Sequence, residues 1–268
     1  MLSTTTAKIS FFGIPALILL VVLSGIYEPL SAWSWQQIPL HSSMETIGGI
    51  VALLISTILF WEAKNRTETH LVLVATGFAT MGVLDTAHAM SRPGDAFIFL
   101  HSVASLTCGF FFASIWFAYG RRLAGRFEQF FIFFGAIFLA VTIALRALLF
   151  PGDVPKIMPL FSGKFTMAAV LINAVASLFY LVSIPKFYQV YRQEHRPEYL
   201  MFACLASLFG LSELIFMFSS PWDGVWWSWH LIRLAAFLAI LGFVILQYRN
   251  NLAAGVLETG REGGGGHS

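Results

Sequence analysis

The chain has 268 residues, of which 57% are hydrophobic and only 11% are charged, and its mean hydropathy is +0.76. Soluble domains carry roughly 45–50% apolar and about 25% charged residues, so this composition predicts an integral membrane protein. The net charge is only +2 and the basic residues are spread over short loops, which argues against nucleic acid as a partner. Cys108 and Cys204 both fall within apolar segments, where neither a disulfide framework nor a thiolate metal site is expected.

Eight apolar stretches are each close to the ~20 residues that a helix needs to cross a membrane. In chain order, the predicted spans cover residues 11–30, 41–62, 70–91, 97–119, 128–150, 165–185, 199–219 and 228–248. The first has no small-residue cleavage site before Tyr27, so we expect it to be a retained span and not a signal peptide. The short connections contain no flexible linker and no internal repeat. The sequence therefore predicts one all-α bundle of eight transmembrane helices over residues 1–248.

The distribution of Lys and Arg predicts the orientation of this bundle. Eleven basic residues fall in the two terminal segments and in the second, fourth and sixth loops, against three in the opposite loops. Because basic residues concentrate on the cytoplasmic side, we expect both termini to be cytoplasmic. The outer loops are also rich in tryptophan, which is typical of an interfacial belt: Trp33, Trp35, Trp222, Trp226, Trp227 and Trp229.

Ionisable side chains inside the spans gather near the predicted outer face. Charge in the hydrocarbon layer is costly, so such groups usually face a cavity or a partner and indicate a functional site. His41 and Glu45 lie one helical turn apart on the second span, and Asp85 and His88 lie one turn apart on the third. The other members are His101, Arg146, Glu213, His230 and Arg233, with Asn173 as a weaker addition.

This pattern of residues is compatible with three kinds of site. Imidazole and carboxylate groups from facing helices suit a transition metal such as copper, zinc or iron, and the candidate ligands are His41, Glu45, Asp85, His88, His101 and His230. The same groups are also compatible with a paired network that only fixes the helices. Finally, Arg233 and Arg146, with Glu213 nearby, are candidates for binding the anionic head of a small ligand or a haem propionate.

The order of these motifs resembles the third class of the bacterial membrane-associated sensor domains, abbreviated MASE. The resemblance covers residues 39–248. It depends on the following segments: His41-Ser-Ser-Met-Glu45, Leu84-Asp85-Thr-Ala-His88, Gly163-Lys164-Phe165, Ser212-Glu213-Leu214-Ile215-Phe216, and then Trp227, His230 and Arg233. The chain departs from the family pattern at Arg233, where lysine is common, and near His101, where tryptophan is common. The resemblance implies that the polar residues of these segments are the family's functional positions.

The resemblance also implies a role for the whole chain. Such domains lie at the N-terminus of histidine kinases and diguanylate cyclases in the bacterial inner membrane, and they pass a signal to a cytoplasmic output domain. We therefore expect a non-enzymatic sensor module, in contact with membrane lipids and forming a homodimer, that binds a metal ion, metal cofactor or small ligand. Residues 249–262 would begin a cytoplasmic signalling helix, and residues 263–268 resemble the remnant of an expression tag.

Two rival functions use the same residues. An intramembrane zinc-dependent hydrolase, similar to the ceramidase and adiponectin-receptor group, also places Asp and several His residues among its spans. The His-x-x-x-His pair of that group is absent here, because Leu234 stands four residues after His230. A transporter is disfavoured by the lack of paired broken helices and of an evident repeat.

Overall fold

The computed structural model describes residues 27–66, 68–121, 125–158 and 164–264, and these ranges are almost entirely helical. The helices are α1 (Tyr27–Ala32), α2 (Ile38–Arg66), α3 (Thr69–Met90), α4 (Asp95–Ala113), α5 (Ile115–Ala118), α6 (Arg126–Leu149), α7 (Met167–Glu194), α8 (Pro197–Phe216) and α9 (Gly224–Gly264). A 3-10 turn at Pro151–Asp153 follows α6. In this part of the chain the β-structure consists of one isolated antiparallel bridge between Ser34 and Asp223.

Seven stretches of these helices are long and apolar enough to cross a membrane: Ile38–Ala63, Thr69–Met90, Asp95–Ala118, Phe127–Leu149, Met167–Glu194, Pro197–Phe216 and Gly224–Gln247. Each coincides with one of the predicted spans. The remaining predicted span, residues 11–30, lies outside the described residues except for its last four, which belong to α1. The prediction of an all-helical, multi-pass membrane protein is thus confirmed, whereas the eighth span and the cytoplasmic termini stay predictions.

Two helices differ in length from their predicted spans. Helix α9 begins at Gly224 and not at residue 228, because the carboxylate of Asp223 accepts a hydrogen bond from Trp226 N (2.6 Å) and so caps the helix. Helix α7 continues through Pro185 to Glu194. Proline removes one backbone hydrogen bond, but Phe187 and Val190 beyond it are fully buried in the core, and this burial favours a continuous helix.

Six helices form a closed ring in which α2, α3, α4, α7, α8 and α9 are neighbours in that order, and α9 returns to pack on α2. Helix α6 lies outside the ring against α3. The crossing of α2 and α3 is particularly close, since a Cβ atom on Gly82 would lie 2.8 Å from the carbonyl oxygen of Gly49. Small residues at such crossings allow membrane helices to approach, and here they bring the first turns of α2 next to the last turn of α3.

The buried apolar side chains form two clusters. The larger one fills the ring with aromatic residues such as Phe78, Phe112 and Phe209. The smaller one lies at the end of the bundle where α2 and α9 begin, and includes Phe97 and Trp226. We call this end the site end, because the buried side chains of His41, Glu45, His88 and His230 lie there, inside the ring.

Candidate metal centre

The chain segments leading into α2 and α9 hold each other in place at the site end. Trp35 N donates to the carbonyl of Trp222 (2.9 Å), and Gly224 N donates to the carbonyl of Trp33 (3.0 Å). Trp222 has a φ of 72°, a left-handed conformation that is rare and strained for a bulky residue. The strained turn is maintained by these hydrogen bonds and by the Asp223 cap. Burial of this cap raises the pKa of the Asp223 carboxyl group. The first turn of α9 is consequently directed towards the start of α2.

Three histidine side chains from three helices converge within the ring. The Nε2 atom of His41, on α2, lies 3.0 Å from Nε2 of His230, on α9. It also lies 3.3 Å from Nε2 of His88, on α3. All three imidazoles are at most 2% exposed. Buried imidazoles whose same ring nitrogen faces one point offer three potential ligands to a single ion.

The opposite ring nitrogens of two of these histidines are held by backbone carbonyls. Nδ1 of His88 lies 2.6 Å from Phe97 O, and Nδ1 of His230 lies 2.7 Å from Trp226 O. A carbonyl can only accept, so in the neutral rings the proton resides on Nδ1 and the lone pair is on Nε2. A carbonyl behind the ring is the arrangement that fixes the tautomer of metal-bound histidine.

Glu45 completes a group of four potential ligands. Its Oε1 atom lies 3.5 Å from Nε2 of His230, and one atom from each of His41, Glu45, His88 and His230 lies within 4.8 Å of all the others. A tetrahedral zinc site with Zn–N bonds of about 2.0–2.1 Å separates its ligand atoms by about 3.3 Å. The shorter separations in this group are close to that value, so the four side chains are compatible with one tetrahedral ion.

Arg233 forms a second cluster one helical turn deeper, in which it pairs with two carboxylates. Its Nη2 atom donates to Asp85 (2.6 Å) and its Nη1 atom donates to Glu213 (2.7 Å). Ser105 accepts from Arg233 at 2.8 Å and donates to Glu213 at 2.7 Å. The guanidinium thus ties α9 to α3, α4 and α8 at once. For Arg233, Asp85 and Glu213, the structure thus contains the paired network that the sequence also allowed.

The structure does not bring every candidate ligand into the group of four. Asp85, predicted as a ligand, uses Oδ2 to accept from Arg233. His101 lies beside the deeper cluster, with Nε2 3.7 Å from Oε2 of Glu213, and its ring packs against Trp229 at a centroid distance of 4.7 Å. Neither side chain belongs to the group of four potential ligands, because Asp85 is paired with Arg233 and His101 lies next to Glu213.

Two other predicted residues also lie outside the group of four. Arg146 is exposed near the end of α6 and forms an ion pair with Asp153, just beyond that helix. Helix α6 lies outside the ring, so Arg146 cannot share a cavity with the histidines. Asn173 on α7 is buried and donates to Ser102 Oγ (2.9 Å) and to Ala169 O (2.8 Å).

Sequence reasoning missed two features of the site. Ser105, the bridge between Arg233 and Glu213, stands one turn after His101 on the same helix face, and this i,i+4 spacing was the available signal. The ring of His230 is also enclosed by Trp226 and Trp229, with ring centroids 3.8 and 3.5 Å away. These tryptophans were assigned to an interfacial belt, but both are at most 2% exposed.

The helical ring with its buried polar centre defines a multi-pass membrane protein, and the family comparison makes the class more specific. A family model of the membrane-associated sensor domain MASE3 matches residues 33–247. The match covers most of the chain and all seven described spans, so the chain belongs to the MASE3 family of membrane sensor domains. The resemblance stated from the motifs is thereby confirmed. Searches among curated proteins and among solved structures returned no significant match.

Proposed function

We propose that the chain is the sensor module of a bacterial inner-membrane signalling receptor and that it senses a transition metal ion, bound by His41, Glu45, His88 and His230. The observation that supports this most directly is the convergence of the Nε2 atoms of His41, His88 and His230. The Nδ1 atoms of His88 and His230 are held by backbone carbonyls, and Nδ1 of His41 has no hydrogen-bond partner among the described residues. In neutral rings, His41 has a single proton to share between the two facing Nε2 atoms, so at least one lone pair lacks a donor. One ion would satisfy all of them.

The charge of the buried centre supports the same proposal. Glu45, Asp85 and Glu213 are each at most 5% exposed, and Arg233 pairs with Asp85 and Glu213. With the imidazoles neutral and all three carboxylates ionised, the formal charge of these four groups would be −2. Uncompensated charge inside a membrane is costly, and a divalent cation next to Glu45 would neutralise it.

A bare ion fits the geometry better than either a haem or a catalytic zinc. A haem needs a porphyrin-sized slot between its axial ligands, whereas Nε2 of His41 is in direct contact with Nε2 of His230. Catalytic zinc sites keep one coordination position open for water, whereas here Glu45 lies close enough to the three histidines to be the fourth ligand. These points favour sensing over the alternative of an intramembrane hydrolase.

The signal is proposed to leave through α9. This helix carries His230 and Arg233 and continues beyond its membrane span to Gly264. Bound metal would link α9 to α2 and α3, and a ligand shifts a conformational equilibrium only as far as it prefers one arrangement over another. We propose that metal-bound and metal-free bundles differ in the position of α9. The receptor would be a homodimer, and its cytoplasmic kinase or cyclase domain would respond to this difference.

The test is a metal analysis of the purified chain, first as isolated and then after equilibration with zinc, copper or iron. We expect about one ion per chain, and loss of stoichiometric binding in His41→Ala and His88→Ala. The exposed residue His195 supplies the matched control His195→Asn, which should bind as the wild type does; asparagine tolerates the left-handed backbone found there (φ 56°). Unchanged metal content in both alanine variants, or no binding by the wild type, would show that the assignment is wrong.

A further inference from the structure

A cavity of about 510 Å³ lies between α6 and the ring, and no histidine is among the described residues that line it. Its walls come from α3, α4, α6 and α7, because α6 packs on α3 and leaves space towards α7. Phe110, Leu139 and Val175 remain exposed at its rim. The cavity therefore opens sideways, at a depth where the surroundings of a membrane protein are lipid chains.

The chemistry of the wall limits what can occupy this cavity. Among the described residues that line it, the polar side chains are those of Thr80 and Thr107. Thr80 Oγ1 donates to Gly77 O of its own helix at 3.0 Å, and Thr107 Oγ1 donates to Val103 O at 2.8 Å. With both hydroxyl donors already used, the cavity offers dispersion contacts and burial from water, which suits a hydrocarbon chain.

An aromatic path connects the cavity to a positive charge on the same face of α7. Phe179 lines the cavity and packs on Phe110 with a centroid distance of 6.0 Å. One turn further along, Trp116 Nε1 donates to Val182 O at 2.7 Å. One turn beyond that, Lys186 Nζ lies 5.6 Å from the ring centroid of Trp116. Positions 175, 179, 182 and 186 share one helix face, so the cavity, the path and the ammonium group lie in a line.

The length of this line matches one leaflet of a membrane. The eleven residue steps from Val175 to Lys186 rise by about 16 Å, and half of a hydrocarbon core is about 15 Å. A lipid chain that starts at the level of Lys186 would reach the cavity.

Lys186 is available to bind an anion. Among the described residues, its Nζ atom has Gln189 Oε1 at 3.2 Å and the ring of Tyr119 at 4.8 Å, and no ion-pair carboxylate. Burial, together with its hydrogen bond to Glu194, raises the pKa of Tyr119 to about 12. The phenol beside the lysine therefore stays neutral, and the Glu194 carboxylate already accepts from Tyr119 and pairs with Arg196.

We propose that this surface binds one anionic glycerophospholipid, with its headgroup at Lys186 and one acyl chain in the cavity between α6 and α7. Charge complementarity selects the headgroup and the apolar wall selects the chain. The inner wall of the cavity includes Leu84, the residue before Asp85, so the bound lipid would contact the helix that carries the Arg233 partner. The site is separate from the metal ligands, and it does not depend on the metal proposal.

The test measures the affinity of the first bound lipid by native mass spectrometry of the purified chain. Phosphatidylglycerol and phosphatidylcholine with identical acyl chains serve as probes. We expect the wild type to prefer phosphatidylglycerol and Lys186→Gln to bind it about fivefold more weakly, with phosphatidylcholine unaffected. Ala136→Phe, which fills the cavity from α6, should weaken both lipids.

Two controls separate the site from general effects of charge and bulk. Lys156→Gln removes an exposed lysine at the site end, and Gly135→Leu adds an apolar side chain on α6 where nothing lies within 4 Å of the new Cβ; both should bind as the wild type does. If Ala136→Phe fails to fold, Val175→Trp at the rim replaces it. Equal affinity of the wild type for the two lipids, or wild-type affinities in Lys186→Gln or in the folded cavity variant, would overturn the proposal.

Discussion

At the scale of single residues, Arg233 decides how the buried acids are used. Its planar guanidinium donates to Asp85 and Glu213 from two different nitrogens, a geometry that lysine cannot reproduce. The two carboxylates are fully buried, so without the arginine each would retain its desolvation cost and lose its partner. Asp85 is thereby held away from the histidines, and Glu45 is left as the carboxylate nearest to them.

We expect Arg233→Ala to lower the free energy of unfolding by about 3–5 kcal/mol, the usual cost of leaving a buried charge unpaired. The free energy of unfolding of Arg233→Lys should lie between those of Arg233→Ala and the wild type. The lysine ammonium group keeps the positive charge but lacks the two separate nitrogens with which the guanidinium group donates to Asp85 and Glu213. Unfolding of the detergent-solubilised protein in increasing sodium dodecyl sulfate measures both. Arg192→Ala, at an exposed position of α7, is the control. An Arg233→Ala protein as stable as the control would contradict the assigned pairing.

At the scale of the helices, the crossing of α2 and α3 aligns the ligands. His41 and Glu45 are on one helix and His88 is on the other, and the pair crosses at Gly49 and Gly82. Neither glycine has room for a side chain, since a Cβ atom on Gly49 would clash with Thr86 Oγ1. The positions of the ligands therefore depend on residues that carry no functional group.

Gly82→Ala tests this dependence. The new methyl group would press on the backbone oxygen of Gly49, so the two helices must separate, at a cost of about 1–3 kcal/mol for overpacking. We also expect weaker metal binding, because His88 moves away from His41. The comparison variant is Gly242→Ala on α9, where nothing lies within 4 Å of the added Cβ and which should be neutral or stabilising. Thermal unfolding and metal titration are measured for both variants. A loss of stability and of metal affinity in Gly82→Ala but not in Gly242→Ala would assign the effect to the helix crossing, and an equal loss in both would assign it to alanine in general.

At the scale of the whole molecule, two layers fix α9 in the ring. The deeper layer is the Arg233 cluster, in which Arg233 is paired with Asp85 and Glu213. In the outer layer, His41 on α2 can share one proton with His230 or with His88, and according to our proposal a bound ion would link all three helices. An ion that links three helices stabilises the folded bundle by mass action.

Removal of metal should therefore lower the melting temperature of the wild type. At an ion concentration of about 100 times the dissociation constant, the stabilisation is about 2.7 kcal/mol. A strong chelator should abolish this stabilisation in the wild type and have no effect on His88→Ala, which is already unable to hold the ion. Tryptophan fluorescence during heating provides the readout, because Trp226 and Trp229 enclose His230. A chelator effect of equal size in His88→Ala would contradict the site.

The proposed movement of α9 has its own measurement. Spin labels at Trp61→Cys on α2 and Ile245→Cys on α9, both exposed positions, report the distance between the two helices at the end opposite the site. Cys108 and Cys204 are replaced by alanine beforehand. Helix shifts in membrane and allosteric proteins are typically about 1–2 Å, so we expect a change of that order when zinc is added. The same labels in His88→Ala should show no response to zinc.

The sequence by itself determined the membrane class, the seven spans that the structure describes, and the level of each polar residue within its span. These properties follow from the length of apolar runs and from the helical period, both of which are local. The i,i+3 and i,i+4 spacings also paired His41 with Glu45, and Asp85 with His88, correctly as neighbours on one helix face. The family assignment rests on the same local motifs and is confirmed.

Only the tertiary structure decided which of these residues meet. Asp85 and His88 share a face of α3, yet Asp85 turns to Arg233 and His88 turns to His41, because the two lie at different depths and face different neighbours. Arg146 lies near the end of its predicted span, as the site residues do, but it belongs to a helix outside the ring. Helix rotation, crossing angle and order around the ring depend on side-chain packing between distant segments, such as the contact of Gly49 with Gly82, and no periodicity within one span encodes them.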